Sequence, residues 1–364
     1  MTTLGEVCEV LDKKRKPITK RDRVAGPYPY YGATGILDYV EDWIFDERLI
    51  LLGEDGAKWG RNEQSAFIID GRTWVNNHAH VLNPRRDVVD DRYVTYYLNH
   101  ISLDPFISGT TIPKLTQKSM VNIQIPLPPL DEQKRIAEIL DEADRVRKKT
   151  QALIDKYDEL AQSIFLDMFG DPVTNPKGWE VKPLGEICEF FGGKAWKRKE
   201  LTPSGMRLVR ISNLHNPNFK WWHYDGPFVE KYAVEQGDLL FSWAGVASSI
   251  DVYLYHGELA MLNQHIYNLK PAKEGFPKDY LFEFIRQLLP HLRNQMGGGV
   301  GQFYLKKSDI QGIQIFCAPT DILEQYRERA RLIETQKNEA LAHYRFESSL
   351  FNALLQKAFK GELT

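Results

Sequence analysis

Leu4-Gly5-Glu6-Val7-Cys8-Glu9 returns 180 positions later as Leu184-Gly185-Glu186-Ile187-Cys188-Glu189. The recurrence extends outward from this pair. Leu51-Leu52 with Gly56 returns as Leu240-Phe241 with Gly245, and Asn77-His78 with Leu82-Asn83-Pro84 returns as Gln264-His265 with Leu269-Lys270-Pro271. Ile123-Gln124-Ile125 with Pro129 returns as Ile313-Gln314-Ile315 with Pro319, and Phe169-Gly170 resembles Phe359-Lys360-Gly361. One such match means little. All of them in the same order at nearly constant spacing make the chain a duplication, two copies of one structural unit.

Each copy has the same plan. A stretch rich in aromatic and β-branched residues, glycine and proline reads as strands and turns with a few helices. A proline stop follows, Pro126-Leu127-Pro128-Pro129 or Ala318-Pro319, and then a long helical pattern with Asp131 or Asp321 placed to cap it. In the first helix Ile136, Ile139, Ala143, Val146, Thr150, Leu153, Tyr157, Leu160, Ile164 and Met168 recur in steps of three and four, a heptad seam. In the second, Tyr326, Ala330, Ile333, Lys337, Ala340, Tyr344, Glu347, Phe351, Leu354 and Ala358 do the same, with Lys337 and Glu347 breaking the apolar run. Two heptad helices of equal length in one chain most simply pack on each other.

Composition narrows the function. The 364 residues are 43% hydrophobic and 26% charged, the mix of a folded soluble chain, with a net charge of −2. A protein that coats nucleic acid by bulk charge looks different, so any such binding rests on local patches. Residues 126–171 carry 7 basic and 11 acidic groups, whereas residues 172–318 carry 17 and 14. Cys8, Cys188 and Cys317 form no Cys-x-x-Cys, which argues against a disulfide framework or zinc ribbon and fits a reducing cytoplasm. No signal-peptide core and no membrane-spanning run is expected.

The tools of an enzyme are missing. Asp104-Pro105-Phe106 lacks the second proline of an amino-methyltransferase motif. Gly297-Gly298-Gly299-Val300-Gly301 is followed by Gln302-Phe303, where a phosphate-binding loop has Lys-Ser/Thr. Glu54-Asp55-Gly56-Ala57-Lys58 has the wrong spacing for a metal-dependent nuclease. His78 and His80 share a strand face but lack a third ligand, so a structural role is expected. No catalytic residue, metal ligand or cofactor site is assigned to the chain.

What remains is polar, basic loops at equivalent positions of the two copies. Lys13-Lys14-Arg15-Lys16 with Lys20 and Arg21 follows the first Leu-Gly-Glu motif. Lys194, Trp196 and Lys197-Arg198-Lys199 follow the second. Lys58, Arg61 and Asn62 come after the Gly-Glu-Asp-Gly turn, and Arg210, Ser212, Asn213 and His215 after a strand. Thr110, Thr111 and Lys114 precede the first helix, and Gln302, Tyr304 and Lys306 the second. A charge run is usually a solvated face, but recurrence in both copies favours phosphate and base-edge contacts.

Ile125-Pro126-Leu127-Pro128-Pro129-Leu130-Asp131-Glu132-Gln133-Lys134-Arg135-Ile136-Ala137 resembles the start of the central helix of a Type I restriction–modification specificity subunit. Phe165-Leu166-Asp167-Met168-Phe169-Gly170-Asp171 is similar to the end of that helix, and Leu354–Leu363 to the family's C-terminal segment. Gly53-Glu54-Asp55-Gly56 and Trp74–Leu82 resemble motifs of one class of target-recognition domain. The second helix departs from the pattern: Phe316-Cys317-Ala318-Pro319-Thr320-Asp321 replaces the proline-rich start, and Glu324-Gln325 come two residues late.

The resemblance implies an α+β fold with pseudo-twofold repeat. Target-recognition domains at 1–128 and 172–318 would be separated by antiparallel helices at 129–171 and 319–364 forming a coiled coil. It implies a non-catalytic, cytoplasmic subunit that reads a bipartite, asymmetric sequence in double-stranded DNA, one half per domain. The implied partners are two methyltransferase subunits holding S-adenosylmethionine, and translocating restriction subunits using ATP and Mg. Two alternatives stay open: a specificity subunit serving a fused nuclease–methyltransferase, and a duplicated coiled-coil adapter that binds proteins and no DNA.

Overall fold

The computed structural model describes residues 1–363 apart from 110, 273–274, 295–296 and 300–301, with the backbone alone at 297–299 and 302. The chain forms two compact units, Met1–Ala152 with Leu341–Thr364, and Leu153–Ala340.

The first unit holds a four-stranded antiparallel sheet in the order Cys8–Val10, Ala79–Pro84, Leu49–Gly53, Ala66–Ile69. A second sheet runs Gly35–Val40, Ala25–Gly32, Arg72–Val75, Phe45–Asp46, and its central pair is parallel. The second unit repeats both. Its larger sheet runs Cys188–Gly192, Ile266–Pro271, Leu239–Ser242, Asp251–Leu254. Its smaller sheet runs Trp222–Tyr224, Met206–Val209, Ala260–Leu262, Ala233–Val234, again with a parallel central pair. Register repeats as well: Cys8 pairs with Pro84 as Cys188 pairs with Pro271, and Ile50 with Leu82 as Leu239 with Leu269.

The founding motif has a physical reason in each copy. Leu4 and Leu184 are fully buried, and their N–H groups donate to Ile123 and Ile313 carbonyls at 2.8 Å. At Gly5 a Cβ would stand 2.9 Å from Val121 Cβ, and at Gly185 3.0 Å from Gln311 Cβ, so close backbone approach favours glycine at both. Cys8 and Cys188 are buried equivalents whose thiols burial pushes up to about 12.

The long helices run Leu130–Phe169 and Thr320–Lys360. The first begins on Gln133, whose buried amide accepts from Asp90 N–H at 3.0 Å and donates to the carbonyls of Pro128 and Val88. Leu323 takes the corresponding place in the second helix, 3% exposed, with its N–H on Pro319 just as that of Gln133 is on Pro129. In the first unit the helices run antiparallel, with Arg147 over the Phe351 ring at 4.8 Å and the Thr150 hydroxyl donating to Glu347 at 3.0 Å. In the second unit they do so through Lys337 and Asp158 at 2.6 Å and Phe165 edge-on to Tyr326.

The second helix has the expected seam. The first departs from it at three of its ten positions. Ile136, Ala143, Thr150, Tyr157, Ile164 and Met168 do face inward, but Val146, Leu153 and Leu160 are 39%, 44% and 44% exposed. Leu140, Arg147, Ile154 and Ala161 take the inward places instead. The seam therefore steps four then three from Ile136, matching the steps of the second helix from Tyr326. The apolar character of Val146, Leu153 and Leu160 hides the inward Arg147, Ile154 and Ala161 one position later.

This register makes a sharp prediction. Ile154→Ala, at a site 4% exposed, should cost about 2–5 kcal/mol in denaturant unfolding. Leu153→Ala next to it should stay within about 0.5 kcal/mol. The reverse order would restore the seam read from apolar spacing alone.

Candidate nucleic-acid interface

In the first unit the basic run is split by the turn that carries it. Asp12–Lys14 is a 3-10 turn, in which side chains three apart eclipse. Asp12 and Arg15 face inward together, while Lys13, Lys14 and Lys16 are exposed. The Arg15 guanidinium lies 2.5 Å from Glu54, 3.2 Å from Asp12 and 2.7 Å from the Ala79 carbonyl. Lys114 reaches Glu54 from the other side at 2.7 Å. His80, 1% exposed, has Nδ1 2.6 Å from Asp12 and Nε2 2.7 Å from the Leu115 carbonyl. Asp12, Glu54 and His80 lie close enough to hold a cation, but the protein's own cations already stand on the two carboxylates. The Gly-Glu-Asp-Gly motif and His80 thus build an interior ion network beneath the exposed lysines.

Other first-unit candidates lie on exposed ground. Lys20 and Arg21 occupy the 3-10 turn Lys20–Asp22, and Lys58, Arg61, Asn62 and Thr111 are exposed. Arg61 and Asn62 clasp the buried His100, Arg61 Nη2 at 3.3 Å from Nε2 and Asn62 Oδ1 at 2.9 Å from Nδ1. Burial and the Arg61 charge hold His100 below its ordinary pKa. Thr110 lies outside the described residues.

In the second unit Trp196 is an interior residue, 7% exposed, packed with Leu208 and Met261 and donating from Nε1 to the Leu262 carbonyl at 3.1 Å. Lys194 lies 4.4 Å from the centre of its ring and 2.7 Å from Glu200. Asn213 is also buried; its side chain accepts from Arg210 N–H at 3.3 Å and donates to the Phe219 carbonyl at 3.1 Å. Lys197, Arg198, Lys199, Tyr304 and Lys306 are exposed, and Ser212 is half-buried. His215 is exposed, with Nε2 3.1 Å from the Tyr253 hydroxyl. Gln302 belongs to strand Gln302–Tyr304, but its side chain lies outside the described residues. Sequence reasoning passed over Arg207, Lys220, Trp221, Trp222 and His223, which line one cleft with Arg198. The signal available was the Lys-Trp-Trp-His run.

The ion network has a pH signature. Burial works against the Glu54 charge, but hydrogen bonds from Lys114 and Arg15 outweigh it and hold the carboxyl below its ordinary value of 4.5. A carboxyl depressed by folding adds stability above its unfolded pKa and loses it as pH falls through the folded one. Denaturant unfolding of the first unit should therefore weaken below about pH 4.5, and Glu54→Gln should flatten that part of the profile. An unaltered acid slope in the variant would remove Glu54 as its source.

Residues 1–156 and 176–342 each match the Type I restriction modification DNA specificity domain. The MjaVIII specificity subunit of Methanocaldococcus jannaschii is 24% identical over 97% of this chain and 91% of its own length. The EcoDI specificity subunit of Escherichia coli is 32% identical over 93% and 83%. A putative specificity subunit of Haemophilus influenzae, S.HindORF215P, is 38% identical over 38% of this chain and 35% of its own length. The crystal structure of the S subunit from M. genitalium shares the fold, with a TM-score of 0.62 at 15% identity over 98% of this chain and 95% of that one. The chain belongs to the Type I restriction–modification DNA specificity family and carries two copies of its domain.

Proposed function

We propose that each unit reads one half of a bipartite, asymmetric sequence in double-stranded DNA. The observation that carries this reading is the repeat itself: one two-sheet frame, built twice, presents different exposed basic loops. Two unlike readers on like frames suit two unlike half-sites. Family membership favours this reading over a protein-binding adapter.

In this reading the chain supplies no catalytic group. Two methyltransferase subunits bring S-adenosylmethionine, and restriction subunits bring ATP and Mg; a fused nuclease–methyltransferase would serve equally. The residues that upset the first-helix seam support docking of such partners. Val146, Leu153 and Leu160 are exposed apolar side chains seven residues apart, and Phe346 and Leu350 on the second helix are 70% and 47% exposed. Unpaired heptad positions of this kind suit helices from other subunits. No helix among the described residues is long and apolar enough to cross a membrane, and we place the complex in the cytoplasm.

Exchanging residues 1–125 for the matching region of a relative should change one half of the methylated motif and keep the other, as read by methylome sequencing. A change in both halves would end the claim of independent readers. The helices are assigned the spacer. Removing one heptad from each, at facing positions, keeps the seam in phase and shortens the pair by about 10.5 Å, or about three base pairs. The half-sites should stay the same while the gap shrinks or binding is lost. Methylation of the original motif at its original gap would show that the helices set no distance.

A further inference from the structure

The second unit carries a cleft for which the first has no matching segment. In the first unit the edge strand of the smaller sheet, Gly35–Val40, meets its neighbour Ala25–Gly32 at a tight turn, Ala33-Thr34, between paired Gly32 and Gly35. In the second, residues 210–221 stand between Val209 and Trp222, where the equivalent strands pair. This insert and the turn at Arg198 enclose about 950 Å³ lined by Arg198, Arg207, Lys220, Trp221, Trp222 and His223 among others, with no aspartate or glutamate in the lining.

Two arginines here differ in role. Arg210 lies 4.2 Å from the centre of the Trp222 ring and is already engaged, donating to the Asn213 side chain and the Lys220 carbonyl. It braces the insert. Arg207 lies 5.3 Å from the centre of the Trp221 ring. Its acidic neighbour is Glu258 at 3.9 Å, with side chains 50% and 86% exposed, a pair that water screens heavily. The guanidinium lies beside the indole and is half exposed, which leaves it accessible to a ligand. A planar guanidinium fork suits two parallel hydrogen bonds to one base edge, whereas a lysine is a point charge on a flexible stem.

We propose that this cleft is a DNA-contact surface particular to the second unit, with Arg207 on a guanine edge and Lys220 on the phosphate backbone. Three cations with no carboxylate in the lining, and only the exposed Glu258 beside Arg207, match a polyanion that also presents base edges. The proposal rests on the reading of the unit as a DNA reader and adds the residues that set its preference.

The test uses the full chain assembled with its methyltransferase subunits. Motifs are read from host DNA methylation, and affinity is measured on a duplex bearing the motif across a salt series. Arg207→Lys keeps the charge and loses the fork. It should relax one G·C position in the second half-site, with discrimination falling about 5- to 150-fold, and leave the first half-site intact. Lys220→Ala should relax no position but lower the log–log salt slope by about 0.9. Thermal unfolding of both variants should match the parent. An unrelaxed motif in Arg207→Lys together with an unchanged slope in Lys220→Ala overturns the cleft. So does relaxation in the first half-site. If the parent complex itself neither binds nor methylates DNA, the underlying reading fails instead, and the two failures are told apart by that control.

Discussion

Neither unit closes its core with its own sheets. The first is completed by Ile136 and Leu140 from one helix and by Phe351, Leu355 and Ala358 from the other. The second is completed by Phe165 and Phe169 from the first helix and Leu323 and Tyr326 from the second. Phe169 stands edge-on to both Tyr280 and Tyr326, joining a globular helix to the long ones. Each such aromatic pair adds about 0.5–1.5 kcal/mol beyond area burial. Each unit therefore takes its own stretch of both long helices into its core. The first unit also needs chain separated from it by the whole second unit, an ordering with a large loop-closure cost.

The seam carries charge where the two helices are related by the repeat. Arg147 and Lys337 hold the same heptad place in their helices; Arg147 is paired within its own helix with Asp144 at 2.6 Å, while Lys337 is paired across the seam with Asp158 at 2.6 Å. Uniform apolar contacts would let antiparallel helices slide by a heptad at little cost. A polar group that finds its partner in one register penalises the others, at some expense in stability. Thr150 with Glu347 adds a second such check.

The repeat, the long helices and their antiparallel pairing were legible because they are written in spacing, and spacing survives substitution. Side-chain facing was less so. Val146 looks more like core than Arg147, yet the arginine points inward, its guanidinium lying over the Phe351 ring and reaching Asp144. Lys13-Lys14-Arg15-Lys16 reads as one run, and a three-residue turn divides it between surface and interior. Trp196 sits among lysines in sequence and among Leu208 and Met261 in space. The cleft joins residues near 198, 207 and 220, which no local pattern unites.

Where the two units differ also follows from strand pairing. The parallel pairs, Tyr30 with Trp74 and Leu208 with Met261, lie at the centre of the smaller sheets and match between units. The outer strands Gly35–Val40 and Trp222–Tyr224 each lie at a sheet edge. Lengthening the link to an edge strand removes no ladder hydrogen bond from the interior. The insert must satisfy its own polar groups, and it does so locally. The Asn213 side chain bonds both the N–H of Arg210 and the carbonyl of Phe219, and Arg210 itself closes on the Lys220 carbonyl. A frame of this kind lets its reading edge vary while the buried pairings stay fixed, so a new edge need not unsettle the fold.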